Sequence, residues 1–332
     1  TDTLTIGNGD NDVVIAGKGI NYITMGTGNN DVIIANNGLA AGSTVLAKNT
    51  TTSKLQVKGD ISGASITGVN TISSATGVTL TSAQLAGLKF VANNSILYAA
   101  TGGTYSLNGG RGSFGNQLHA TVNTGTTLIA GNAQSMSLYA SAFGNDTLTI
   151  GTGNNDTVYA GGGINIITLG NGTGDRVIAA QGLAAGSSVT MGNTADSLLL
   201  AEGNISGATL TGIHTLGSTG GVTLNATQLN NFATINANTI LNAATGGTYN
   251  LTGKGDVGGT LRATVNTGTT LIGGADNQTL IASVSGADTL IAGNGNNVTL
   301  IGGNGGNTLT GGSGVSTSSG GSGNEIIVGG FA

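Results

Sequence analysis

Residues 7–33 read GNGDNDVVI, AGKGINYIT and MGTGNNDVI, three nine-residue blocks in succession. The frame returns at 151–168 as GTGNNDTVY and AGGGINIIT, and at 302–328 as GGNGGNTLT, GGSGVSTSS and GGSGNEIIV. Each block opens on a Gly-rich turn, because glycine takes positive φ and lets backbones approach closely. It closes on a short apolar or Thr-rich run that reads as a strand. The middle residue of each run is expected to point inward: Val14, Ile23, Val158, Ile167, Leu309 and Ile327. A turn and a strand every nine residues predict coils stacked as parallel strands, roughly 4.8 Å apart.

A longer repeat contains the short one. Asp2-Thr3-Leu4-Thr5-Ile6 recurs as Asp146-Thr147-Leu148-Thr149-Ile150, and in part as Asp288-Thr289-Leu290-Ile291. GLAAGS at 38–43 recurs at 182–187, ATGGTY at 100–105 recurs at 244–249, and ATVNTG at 120–125 recurs at 263–268. The chain divides into solenoid repeat units 2–145 and 146–287, and a partial third unit, 288–332. Between the nonapeptides, strands are expected within 54–58, 65–72, 77–81, 95–98, 103–107, 118–123, 126–130 and 135–140. One helical turn is expected at 81–85, with a copy at 225–229. The fold expected is an all-β, parallel, right-handed β-solenoid, with β-roll turns and wider, less regular coils.

The nonapeptide resembles the RTX (hemolysin-type) calcium-binding repeat G-G-x-G-x-D-x-U-x, over residues 2–33, 141–177 and 288–328. That resemblance implies a β-roll in which the position-six Asp binds calcium together with backbone carbonyls of neighbouring turns. The residues carried over are Asp2, Asp12, Asp146, Asp156, Asp175 and Asp288, with Asp10 and Asp31 adding charge in the first unit. Turns two nonapeptides apart share a side, which pairs Asp2 with Asn21, Asp12 with Asp31 and Asn30, Asp146 with Asn165, Asp156 with Asp175, Asp288 with Asn307, and Asn307 with Glu325. Half of the family's Asp positions are thus Asn, and Asn297 and Ser316 also depart from the pattern. Calcium affinity rises with carboxylate count, so few or weak sites are expected. The competing reading needs no ion: Asn and Asp cap turns and form side-chain ladders along the stack.

Composition narrows the function. There are 63 Gly, no Pro and no Cys, and charged residues make up 7% with a net charge of -5. Collagen needs Pro, and helical bundles are penalised by Gly. Nine Lys+Arg give no basic footprint for nucleic acid, and no apolar run is long enough to span a bilayer. The chain begins at Thr1 without a basic-then-apolar leader, which is expected of a processed chain or a slice of a longer one. His119 and His214 align with Arg262 and Asn70 in the other unit, so neither recurs as a catalytic residue would. Both, like Arg111, Arg176 and Arg262, read as surface residues, and no enzyme is expected.

Neither end carries a Pro, a charge cluster or a covering helix as a cap. Phe331-Ala332 followed by Thr1-Asp2 would continue the repeat as Phe143-Gly144-Asn145-Asp146 does. The expectation is therefore an extracellular structural protein at a bacterial cell surface. It would stack head to tail with other copies of itself into a fibre, surface layer or stalk. The alternative is a calcium-dependent adhesin module binding ice or cell-surface glycan, since GTGNND at 26–31 and 151–156 resembles turns of ice-binding RTX adhesins.

Overall fold

A computed structural model describes residues 1–255 and 258–330 of the chain. The expected continuation of Phe331-Ala332 lies outside the described residues. The chain forms two compact units, Thr1–Asp175 and Arg176 onward. Each is a parallel β-solenoid, built almost entirely of strands of two to five residues.

In the first unit, Asp2–Thr5, Asn21–Met25, Thr44–Ala47 and Ser65–Thr67 stack in that order into one sheet. Val13–Ile15, Val32–Ala35, Lys54–Val57, Thr71–Ser73 and Phe90–Val91 stack into a second. Each coil of the nonapeptide region thus gives one strand to each sheet. The register keeps like residues together: Leu4 pairs with Ile23, and Ile23 with Val45. Side chains alternate across a strand, so one row turns inward and forms the core. Val14, Ile23, Val158, Ile167 and Leu309 are buried as expected, whereas Ile327, on the last described strand, is 54% exposed.

The irregular stretches form the expected strands with one subdivision. The run expected at 65–72 is two strands, Ser65–Thr67 and Thr71–Ser73. Gly68 takes φ +75 between them, and a Cβ there would strike the Ala47 carbonyl. The predicted helical turns are real: α1 spans Ser82–Gly87 and α2 spans Ala226–Asn231. Thr81 and Gln84 form a capping box on α1, and Asn225 and Gln228 repeat it on α2. Gln84 Nε2 also donates to the Ile61 and Ala64 carbonyls, as Gln228 Nε2 does to those of Ile205 and Ala208. α1 lies between Ser65–Thr67 and Gly103–Ser106, so it fills the place of a strand where one sheet stops and the next begins.

Candidate functional site

The turn residues fall into three arrangements. In the first, Asp146 Oδ1 accepts from the Thr126 N–H at 2.7 Å, while Oδ2 accepts from the Ser141 N–H and Oγ–H, both at 2.7 Å. Asp288 repeats this with Thr269 at 2.6 Å and Ser283 at 2.7 and 2.6 Å. Both carboxylates are buried, and each has both oxygens held by protein donors.

In the second arrangement one oxygen is held and the other is not. Asp31 Oδ1 accepts from the Asp12 N–H at 3.0 Å, and Asp156 Oδ1 accepts from the Met136 N–H at 2.7 Å. The Oδ2 atoms of Asp31 and Asp156 are buried with no hydrogen-bond partner among the described residues. Both aim beneath a turn glycine. A Cβ added at Gly153 would lie 2.7 Å from Asp156 Oδ2 and would strike the Ala133 carbonyl. A Cβ added at Gly28 would lie 3.0 Å from Asp31 Oδ2 and would strike the Gly9 carbonyl. In each case a carboxylate oxygen without a hydrogen-bond partner and a turn carbonyl oxygen lie beside the same glycine. Asp156 N–H in turn donates to Asp175 Oδ1 at 2.9 Å. Burial, with the nearby Asp175 charge adding to it and the Met136 N–H opposing it, raises the Asp156 pKa to about 7.

In the third arrangement an amide replaces the carboxylate. Asn165 Nδ2 donates to the Gly162 carbonyl at 3.1 Å, Asn21 Nδ2 to those of Gly17 and Gly19, and Asn307 Nδ2 to that of Gly305 and to Glu325 Oε1. The amide N–H thus bonds the turn carbonyls of its own coil. Asn165 Oδ1 accepts from the Asp146 N–H, and Asn307 Oδ1 from the Asp288 N–H.

Most of the pairings predicted from the repeat are present as contacts between neighbouring coils. Asp12–Asp31, Asp146–Asn165, Asp156–Asp175 and Asp288–Asn307 are joined by hydrogen bonds across 19 residues, and Asp2 pairs in register with Asn21. Asp2 and Asp10 are exposed, and Asp10 Oδ1 accepts from the Asn29 N–H at 2.7 Å. Among the described residues no three His, Asp or Glu side chains converge as a metal cluster. The donor chemistry of the second arrangement, an unpartnered carboxylate oxygen beside a turn carbonyl, is of the kind a cation takes. A cation does not fit the first, where N–H and O–H donors already hold both oxygens.

Three residues read as bare surface groups, His119, His214 and Arg111, have specific contacts. His119 lies between Tyr98 and Tyr139, tilted 51° to the first at 4.9 Å and stacked on the second at 3.9 Å, and burial lowers its pKa to about 4. Tyr159 continues the stack from Tyr139 at 4.3 Å. His214 Nδ1 lies 3.1 Å from the Thr194 carbonyl. Arg111 donates to the carbonyls of Leu88 and Ser106, near the C-terminus of α1. Lys254, which the sequence reading passed over, donates to the Asn230 and Phe232 carbonyls near the end of α2. Both cations thereby meet the negative end of a short helix.

No family model, no curated protein and no solved structure matches the chain.

Proposed function

We propose that the chain is an RTX-like extracellular structural protein of a bacterial surface that stacks end to end into a fibre, layer or stalk. Its role is mechanical rather than catalytic. The observation that carries this reading is an inward row that repeats in register, Leu4 on Ile23 on Val45 and Leu271 on Leu290 on Leu309, so that coils of one copy match those of another. Leu290, Leu309 and Ile327 pair in succession; the first two are fully buried, yet Ile327 is 54% exposed. Ile326–Val328 and Asp2–Thr5 each close a sheet with a partner on one side only. Placed together, the last strand of one copy would continue the Leu4–Ile23 row of the next. Each joint would pair free backbone groups and bury apolar side chains.

Calcium would bind at the Asp31 and Asp156 turns, supplying a positive charge to the unpartnered carboxylate oxygens. Negative-stain microscopy with calcium and with chelator tests the assembly. Filaments that shorten in chelator are expected, and Ile327→Asp should abolish them. A monodisperse monomer at high concentration with calcium would overturn the reading.

One observation favours the adhesin alternative. Thr248, Thr270, Thr289 and Thr308 pair in register as an outward row on the second unit, and Thr260, Thr279, Thr299 and Thr317 form another. Regular hydroxyl rows suit ordered water or a sugar polymer. Flat thermal-hysteresis and glycan-binding assays would remove this alternative.

A further inference from the structure

The stack of Tyr98, His119, Tyr139 and Tyr159 runs up one sheet of the first unit, one ring per coil. The sheet register sets it: Tyr139 pairs directly with Tyr159 in parallel strands, and both side chains are half-buried on the outer face. Their rings are 4.3 Å apart at an interplanar angle of 4°. His119 covers the other face of Tyr139 at 3.9 Å and separates it from Tyr98. The other tyrosines are remote from any such partner: Tyr22 is exposed beside Thr44, while Tyr105 and Tyr249 are buried with hydroxyls bonded to the Thr101 and Thr245 carbonyls. Among the described residues Tyr139–Tyr159 is thus the one Tyr–Tyr stack.

The geometry points to Tyr139 and Tyr159 as a modification site, where a peroxide-driven peroxidase would join the two rings by a carbon–carbon bond. One hydrogen atom leaves each phenol O–H, giving two phenoxyl radicals whose unpaired density lies partly on the ring carbons ortho to oxygen. Two ortho carbons bond, and the hydrogen on each then moves to its phenol oxygen. The pair loses two hydrogen atoms in all, and one hydrogen peroxide is reduced to two waters. The fold contributes proximity: both radicals are held face to face, half exposed to the oxidant, on adjacent coils. The product would be a covalent staple across two coils, in a chain that has no cysteine to form one.

The full chain, dilute, is treated with horseradish peroxidase and hydrogen peroxide, digested and read by mass spectrometry and dityrosine fluorescence. The expected product is one peptide pair linking Tyr139 and Tyr159, two hydrogens lighter than the sum, in protein that still runs as a monomer. Its yield should exceed that from the urea-unfolded chain by roughly tenfold or more. Tyr139→Phe and Tyr159→Phe should each abolish it while leaving the circular dichroism spectrum unchanged. His119→Tyr should bring Tyr98 into new links, because the separating ring becomes a partner. Equal yield from folded and unfolded chain, or product dominated by Tyr22, would overturn the proposal.

Discussion

Asp146 and Asp156 are ten residues apart, lie in the same unit and are both fully buried, yet they are held in opposite ways. Asp146 has three donors on its two oxygens. Asp156 has one donor on one oxygen, and its other oxygen lies beside the same glycine as a turn carbonyl. The residue five positions earlier makes the difference: Ser141 precedes Asp146, whereas Gly151 precedes Asp156. Ser283 stands in the same place before Asp288, and Gly26 before Asp31. A serine supplies both an N–H and an O–H to the carboxylate; a glycine leaves the turn without a hydroxyl donor. One repeat therefore contains a closed, self-satisfied turn and an open, charge-deficient one.

The largest effect expected from breaking this contrast comes from the closed turn. Asp146→Ala strands the Thr126 N–H and both Ser141 donors in a buried site. It should cost about 4 kcal/mol of stability, read from the urea midpoint. Asp288→Ala should match it in the second unit. The open turn should respond with the opposite sign. The folded pKa of Asp156 lies above its unfolded value of 3.8, at about 7. Below both values the two states hold the proton alike. As pH rises between them the unfolded chain loses its proton first, so stability falls, and above about 7 the loss is complete. Asp156→Asn should remove that fall. Its amide can donate to the turn as Asn165 does. Water and neighbouring dipoles screen part of the charge, so the gain at pH 8 is about 1–2 kcal/mol. Thermal melts of both proteins across pH 4–8 check it; parallel curves would refute the assignment.

The solenoid was legible because its period is stated by residue type: Gly at turns, an apolar residue inward, Asp or Asn at the sixth place. The coil partners followed from that period, and Asp156–Asp175 and Asp288–Asn307 meet as the spacing requires. The difference between Asp146 and Asp156 was also written in the chain, as Ser or Gly five positions earlier, but only the turn geometry shows what that serine does. The aromatic stack was not legible. Tyr159 closes a nonapeptide, but Tyr98, His119 and Tyr139 lie in stretches where no nonapeptide marks the register. Arg111 looked solitary, and Lys254 drew no reading, for a related reason: they bond backbone carbonyls near the ends of α1 and α2, and a backbone partner leaves no trace in sequence.

Calcium sharpens the contrast by a smaller amount. An ion at the open turn would take the place of the Asp156 proton, so it should stabilise the chain more at pH 8 than at pH 5. At a calcium concentration ten times the dissociation constant, the gain is about 1.4 kcal/mol. Asp31→Asn together with Asp156→Asn should erase the calcium-induced rise in melting temperature. An undiminished rise in the double variant would place the ion elsewhere.

The smallest change is the most discriminating. Ser141→Ala deletes the hydroxyl donor to Asp146 Oδ2 but keeps the Ser141 N–H on the same oxygen. It also removes the acceptor that the Gly144 N–H uses at 2.9 Å. The expected cost is about 1 kcal/mol in denaturant unfolding, a fraction of that for Asp146→Ala. Ser283→Ala should match it, because Ser283, Gly286 and Asp288 repeat the network. One N–H remaining on Oδ2 keeps a positive end where a cation would have to sit. Ser141→Ala should therefore gain no calcium response, whereas the Asp156 turn responds with its glycine in place. A calcium response acquired by Ser141→Ala would mean that the hydroxyl alone, rather than the full set of donors, keeps the closed turn closed.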